Sequence, residues 1–204
     1  MTEFVPFPKV ARLNRAITIT EKIDGTNASI YIGEDGEFKC GSRTRWLTLL
    51  DDNYGFAKWA YDHKDELMGL GVGRHFGEWW GKGINRGYGV TDKRFSLFNT
   101  VRWCNYGSTP RPRLTANTFN TNREPPKLQD VLPACVSLVP VLYVGVFSEN
   151  AVTLCLAALK DDGSRAAPFM NPEGVVVFHL ANNTAYKVTL DDDGAGKGHN
   201  YAGV

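Results

Sequence analysis

Short runs of β-branched and aromatic residues recur from Ile17 to Leu190, each cut by a segment carrying Gly, Asp or Pro. Runs of that length and content specify strands, and their number constrains the fold more than any other feature. Ile17 and Ile19 alternate with threonines, Asp24-Gly25-Thr26-Asn27 reads as a turn, and residues 28–32 return. Residues 17–43 are therefore expected to form a β-hairpin, extended by a second turn at Glu34-Asp35-Gly36. Further strands are expected at residues 75–80, 95–103, 136–147, 174–180 and 185–190, with Pro140 bending the third of these or holding it at an edge. Two helices are predicted. Asp51 or Asp52 can cap one whose apolar positions Phe56, Trp59, Ala60 and Leu67 keep helical spacing until Gly69, Gly71 and Gly73 stop it. Ser148 can cap a second, running through Leu159. Many strands with few helices predict an α+β fold of packed antiparallel sheets with flanking helices.

A chain of 204 residues suits one domain and buries enough surface to need no staple. Residues 1–190 are expected to form it, with 191–204, rich in Asp and Gly, as a flexible tail. Residues 105–126, rich in Pro, Asn, Thr and Arg, read as a long surface loop. No apolar run approaches a membrane span, and residues 1–9 lack the apolar core of a signal peptide. Cys40, Cys104, Cys135 and Cys155 show no C-x-x-C spacing and read as reduced thiols, so a cytoplasmic location is expected. The chain carries 23 Lys and Arg against 22 Asp and Glu, a balance that argues against a passive nucleic-acid coat. An enzyme acting on nucleic acid needs only a local basic face. The basic residues from Lys82 to Arg123 are the candidates for phosphate contact.

The chemistry concentrates first at Glu21-Lys22-Ile23-Asp24-Gly25-Thr26-Asn27. A lysine at a strand end, followed by a tight glycine turn, can be held with its amine directed into a cleft. Lysine is a covalent nucleophile only as the neutral amine, and its unperturbed pKa near ~10.4 leaves little of that form at pH 7. Such a site needs desolvation or nearby positive charge, a metal ion included.

Lys-x-Asp-Gly-x-Asn resembles motif I of the covalent nucleotidyltransferases: DNA ligases, RNA ligases and mRNA capping enzymes. Five more segments resemble that superfamily's motifs in the same order. Ser42-Arg43-Thr44 is similar to motif Ia, Gly77-Glu78-Trp79-Trp80-Gly81-Lys82-Gly83 to motif III, and Phe95-Ser96-Leu97-Phe98-Asn99 to motif IIIa. Pro172-Glu173-Gly174-Val175-Val176-Val177 resembles motif IV, and Tyr186-Lys187-Val188 motif V. Each is short, but six in order span nearly the whole chain.

The resemblance implies an ATP-grasp-like nucleotidyltransferase domain and a role for each residue. Lys22 would attack the ATP α-phosphorus, expelling pyrophosphate and leaving a lysyl-adenylate. Glu21 would accept from the adenine amino group, Arg43 would hold phosphate or ribose, and Glu78 would accept the ribose hydroxyls. Phe98 would lie against the adenine, with Phe95 as the other candidate. Asn99 stands where the family usually has Asp. Glu173 would hold a hydrated Mg2+ or Mn2+ and Lys187 would neutralise the α-phosphate. Motif V commonly has two lysines one residue apart; here Thr189 or Ala185 replaces one of them.

Asn27, with Glu-Lys before the turn and the glycine-rich motif III, resembles the RNA ligases that seal nicks and edit RNA, although that group often has His in place of Asp24. The implied activity is ATP-dependent joining of RNA 3′-OH and 5′-phosphate ends. A minimal DNA ligase, or a nucleic-acid-binding domain that has kept only the fold, are the alternatives. DNA or hybrid substrates stay open. Fewer than twenty residues follow Lys187, so no OB-fold is expected, and a protein partner could supply binding of the 5′-phosphate end.

Overall fold

The computed structural model describes residues 3–7, 10–104, 118–119 and 131–191. The strands in chain order are β1 (Ala16–Lys22), β2 (Thr26–Ile32), β3 (Phe38–Ser42), β4 (Trp46–Leu47), β5 (Gly73–Gly81) and β6 (Lys93–Leu97). They continue with β7 (Thr118–Phe119), β8 (Val136–Leu138), β9 (Val141–Val146), β10 (Gly174–His179) and β11 (Thr184–Thr189). The helices are α1 (Phe56–Asp62), α2 (Lys64–Leu67), α3 (Thr100–Trp103) and α4 (Glu149–Asp162). The strands form two sheets, ordered β11-β10-β1-β9-β7 and β4-β3-β2-β5-β6-β8. All pairs are antiparallel except β6 with β8. The expected α+β class of antiparallel sheets with few helices is the one observed.

Each sheet packs its own helix on its outer face. Ala151, Cys155 and Leu159 recur every four residues along α4 and bury Ile17, Ile19, Val175 and Val177 of the first sheet. Phe56, Ala57 and Ala60 of α1 and Leu67 of α2 do the same for Ile30, Trp79 and Phe95 of the second. The inner faces are left to line a cleft. A third cluster, Ile23, Trp80, Tyr88, Val139 and Ala167, joins the sheets. Two of its members, Ile23 and Val139, sit where the chain passes from one sheet to the other.

Those crossings correct two expectations. Residues 17–43 are not one hairpin: β1 pairs with β9 and β10, whereas β2 pairs with β3 and β5. Asp24-Gly25 is a crossover between sheets. Glycine is required there for close approach, since a Cβ on Gly25 would lie 2.4 Å from the Trp79 carbonyl oxygen and 2.8 Å from Trp80 Cβ. Pro140, likewise, divides the expected strand 136–147 between β8 and β9, which lie in different sheets.

Smaller differences have local causes. Residues 95–103 change from strand to helix because the Asn99 side chain accepts from the Arg102 amide at 3.1 Å and starts α3. The first expected helix breaks at His63 into α1 and α2. Asp52 does satisfy its first turn, accepting from Ala57 N at 2.7 Å and Lys58 N at 3.1 Å. In the expected loop only Thr118–Phe119 is described, as an edge strand paired with β9. Residues 192–204 of the expected tail lie outside the described residues. Cys40, Cys135 and Cys155 are free thiols, and burial pushes those of Cys40 and Cys135 up to about 11 and that of Cys155 up to about 12. No helix among the described residues is long and apolar enough to cross a membrane.

Candidate active site

The cleft between the sheets has a volume of about 730 Å³. Strand parity sends Thr18, Thr20 and Lys22 of β1 into it, while Ile17 and Ile19 face α4. Directly opposed residues of antiparallel strands share a face, so the register extends this wall. Thr20 opposes Val176, which opposes Lys187; Lys22 opposes Gly174, which opposes Thr189. Lys187 thus stands exposed on the cleft face, one row from Lys22. Thr189, one of the two positions where the second motif V lysine could stand, shares the row of Lys22.

Lys22 ends β1, and its ammonium donates to Glu173 Oε2 at 2.5 Å, both side chains being partly buried. Glu173 is held in turn at the start of β10, where its carbonyl accepts from Leu190 N at 2.9 Å. Across the cleft Glu78 is buried on β5. Its Oε1 accepts from Gly25 N at 3.1 Å and its Oε2 from Asn27 Nδ2 at 3.0 Å. One carboxylate of the second sheet therefore fixes the crossover that carries Lys22. Each oxygen accepts one bond there and has a second lone pair.

Burial pushes the Glu78 carboxyl up to about 7, against the opposing pull of the Asn27 hydrogen bond and the Lys22 charge. Relative to an unfolded value near 4.5, the folded chain then binds the extra proton between those limits. Stability conferred by the neutral acid is present below the lower value and is lost as pH rises through the upper one. Burial raises Glu21 in the same direction. Melting temperature should fall from pH 5 to pH 8, with Glu78 accounting for up to about 3 kcal/mol. The slope should be shallower in Glu78→Gln; equal slopes would remove Glu78 as the cause.

Glu21, expected to accept from the adenine amino group, is among the residues lining the cleft and is bonded within the first sheet's own flank. It shares the parity of Ile17 and Ile19, is 1% exposed, and accepts from Ser164 Oγ at 2.5 Å, Arg165 N at 2.7 Å and Ala166 N at 3.2 Å. Its carboxylate clamps the loop after α4. Arg86 is engaged within the fold. Offered as a phosphate contact, it pairs with Asp24 at 3.2 Å and with Asp191, and donates to the Asn171 carbonyl at 3.0 Å. It ties the crossover to the entry of β10 and the exit of β11. Arg94 pairs with Asp92, Lys93 bonds the Tyr54 carbonyl and Arg102 bonds that of Leu70. Lys82 is exposed; Arg111, Arg113 and Arg123 lie outside the described residues.

The two phenylalanines separate. Phe95 is buried against the Phe56 and Trp59 rings at 5.2 and 5.8 Å. Phe98 lines the cleft and is 41% exposed. Arg43 follows β3, and the register beyond Ala28↔Ser42 sets it across from Asn27. It is exposed, outside the cleft wall, with no ion pair among the described residues. Thr18, Phe76 and Val176 also line the cleft and went unnoticed in the sequence. The Thr18 hydroxyl is buried and has no hydrogen-bond partner among the described residues. Only the register of β1 with β10 could have revealed the first and the last.

The sequence profile of the RNA ligase family matches residues 15–189. Comparison with curated proteins finds no match. A Naegleria gruberi RNA ligase variant solved with ATP and Mn has a TM-score of 0.54 and 17% identity, covering 86% of this chain and 50% of its own. Another variant of that ligase, with AMP and Mn, gives 0.55 and 16% over 87% and 50%. The ligase with PPi gives 0.53 and 16% over 86% and 50%. The chain spans about half the length of the solved ligases it matches, and at these identities the likeness is one of fold.

Proposed function

The chain belongs to the RNA ligase family, and from that premise we propose that it is an ATP-dependent nucleotidyltransferase domain that joins RNA ends through AMP on Lys22. The observation that carries this reading is the meeting of the Lys22 amine and the Glu173 carboxylate at a cleft whose crossover is locked by Glu78. In the first step the Lys22 ammonium gives up a proton, and the amine lone pair forms a bond to the α-phosphorus. The bond to the β-phosphate bridging oxygen breaks and pyrophosphate leaves. AMP then passes to an RNA 5′-phosphate, freeing the lysine, and a 3′-OH attacks that phosphate to expel AMP.

The remaining residues divide the binding. Glu78 offers its free lone pairs to the ribose hydroxyls, and Arg43 and Lys187 meet phosphate charge from the two sheets. Asn27 acts through Glu78, which it holds. The donors suit a divalent cation of the magnesium type. Glu173 is a single carboxylate beside the reacting amine, and no cluster of three metal-type ligands occurs among the described residues. Magnesium keeps its waters and takes one or two carboxylates plus phosphate oxygens. When bound, it supplies neutralisation of the phosphate charge.

Incubation with radiolabelled ATP and magnesium tests the proposal, the expected result being an adduct labile to acid and stable to base. Labelling from GTP alone would point to capping. Absence of any adduct would leave a binding domain with the fold only. Sealing assays on RNA, DNA and hybrid nicks then read the substrate.

Phe98 lines the cleft, as Val176 does, and is proposed to stack on adenine. Phe98→Leu keeps much of the volume and loses the flat face, a change worth about 1–3 kcal/mol in base stacking. The ATP concentration needed for half-maximal labelling should rise while melting hardly changes. Phe95→Leu should lower the melting temperature instead. The reverse pattern would exchange the two roles.

A further inference from the structure

The cleft-side face of the second sheet continues beyond the nucleotide site. Register aligns one row across it: Trp46 of β4 opposes Gly41, Gly41 opposes Ser29, and Ser29 opposes Phe76. Phe98 closes the row, its amide donating to the Phe76 carbonyl at 2.9 Å. The centre of the row is small, and the Trp46 ring leans over it: a Cβ on Gly41 would lie 3.2 Å from Trp46 Cε3. Phe98, Phe76 and Trp46 are 41%, 54% and 43% exposed. With strands about 4.8 Å apart, the row extends roughly 19 Å from Phe98 to Trp46.

Cations are interleaved with these rings. The Arg74 guanidinium lies 4.6 Å from the Trp46 ring centroid and 5.9 Å from those of Phe76 and Tyr31. Lys39 Nζ lies 5.8 Å from Trp46 and pairs with Glu37 at 2.5 Å, an exposed pair that a phosphate can displace. Large exposed aromatics are costly on a sheet face that has no use for them, and a buried helix covers only the opposite face. Arg74, Phe76 and Phe98 also line the cleft, so the platform and the nucleotide site are one continuous surface.

We propose that this face binds an unpaired stretch of the RNA strand that enters the cleft, its bases stacking on Trp46 and Phe76 and its phosphates meeting Arg74 and Lys39. The proposal rests on the ligase reading and narrows its substrate. Exposed π-faces interleaved with cations suit single strands, whose bases are free to stack. A duplex offers phosphates and 2′-hydroxyls but keeps its base faces inside.

The test is fluorescence anisotropy without ATP, using a labelled 5′-hydroxyl oligoadenylate of about ten nucleotides and a blunt RNA duplex of similar length. The single strand should bind more tightly. Trp46→Ala should weaken it roughly 5- to 100-fold, and Trp46→Phe, which keeps a ring, should retain most of the affinity. Lys39→Gln should lower the salt slope by about 0.7. Trp46→Ala should still be labelled by ATP at the wild-type rate, which also verifies its fold. Unchanged binding by Trp46→Ala overturns the proposal, as does a duplex held as tightly as the single strand. A wild-type dimer made monomeric by Trp46→Ala, with oligonucleotide binding intact, overturns it in favour of a second copy on this face. If wild type takes no label from ATP while strand binding depends on Trp46, the ligase reading falls and the platform stands. Normal labelling with binding indifferent to Trp46 is the converse.

Discussion

Lys22→Ala is expected to carry no AMP after incubation with radiolabelled ATP and magnesium, and to seal no strand. The reason is geometric as much as chemical. Lys22 is the lysine whose amine meets Glu173, at the end of a strand pinned on both sides by β9 and β10. Lys187 shares its face but stands a row away on β11. Lys22→Arg separates chemistry from structure, because a guanidinium can keep the ion pair with Glu173 but stays protonated and is no nucleophile. Both variants should fold, and both should lack the adduct. An acid-labile, base-stable adduct on either would place the nucleophile elsewhere.

Glu173→Ala should also lose labelling, by about a hundredfold or more, the scale of removing one preorganised electrostatic group. Its main-chain bond to Leu190 survives the change, and its side chain is partly exposed, so melting should shift little. The readout is the labelling rate across a magnesium titration. A metal-positioning role predicts partial recovery at high magnesium. Near wild-type labelling at low magnesium would mean that Glu173 only holds the Lys22 ammonium.

These two residues illustrate how much of the site could be read from the chain. Lys22, Asn27, Glu78 and Glu173 sit in short motifs whose residue types suit a covalent phosphoryl transfer; the first three line one cleft and Glu173 bonds the Lys22 amine beside it. Glu21 shows the limit of reading neighbours together. One peptide bond separates it from Lys22 and both line the cleft, yet its carboxylate is held by Ser164 and the amides that follow. Arg86 shows another. A basic residue near a phosphate site resembles a ligand in sequence, and its pairing with Asp24 and Asp191 depends on segments 62 and 105 positions away.

Local pattern alone specified most of the strands, the turn at Asp35-Gly36, the helical character of both outer segments and the α+β class, because each depends on periodicity and turn chemistry within a few residues. It also carried the order of the motifs, and through them the family. The tertiary structure decided which strands share a sheet. Asp24-Gly25 looks like a hairpin turn, but Gly25 is pressed against Trp79 and Trp80, and the chain crosses there to a second sheet. Pro140 separates β8 from β9 in the same way. The cleft exists because of those two crossings. Its walls are the faces that α1 and α4 leave open, and no periodicity says which of two faces a helix will cover until both sheets are in place.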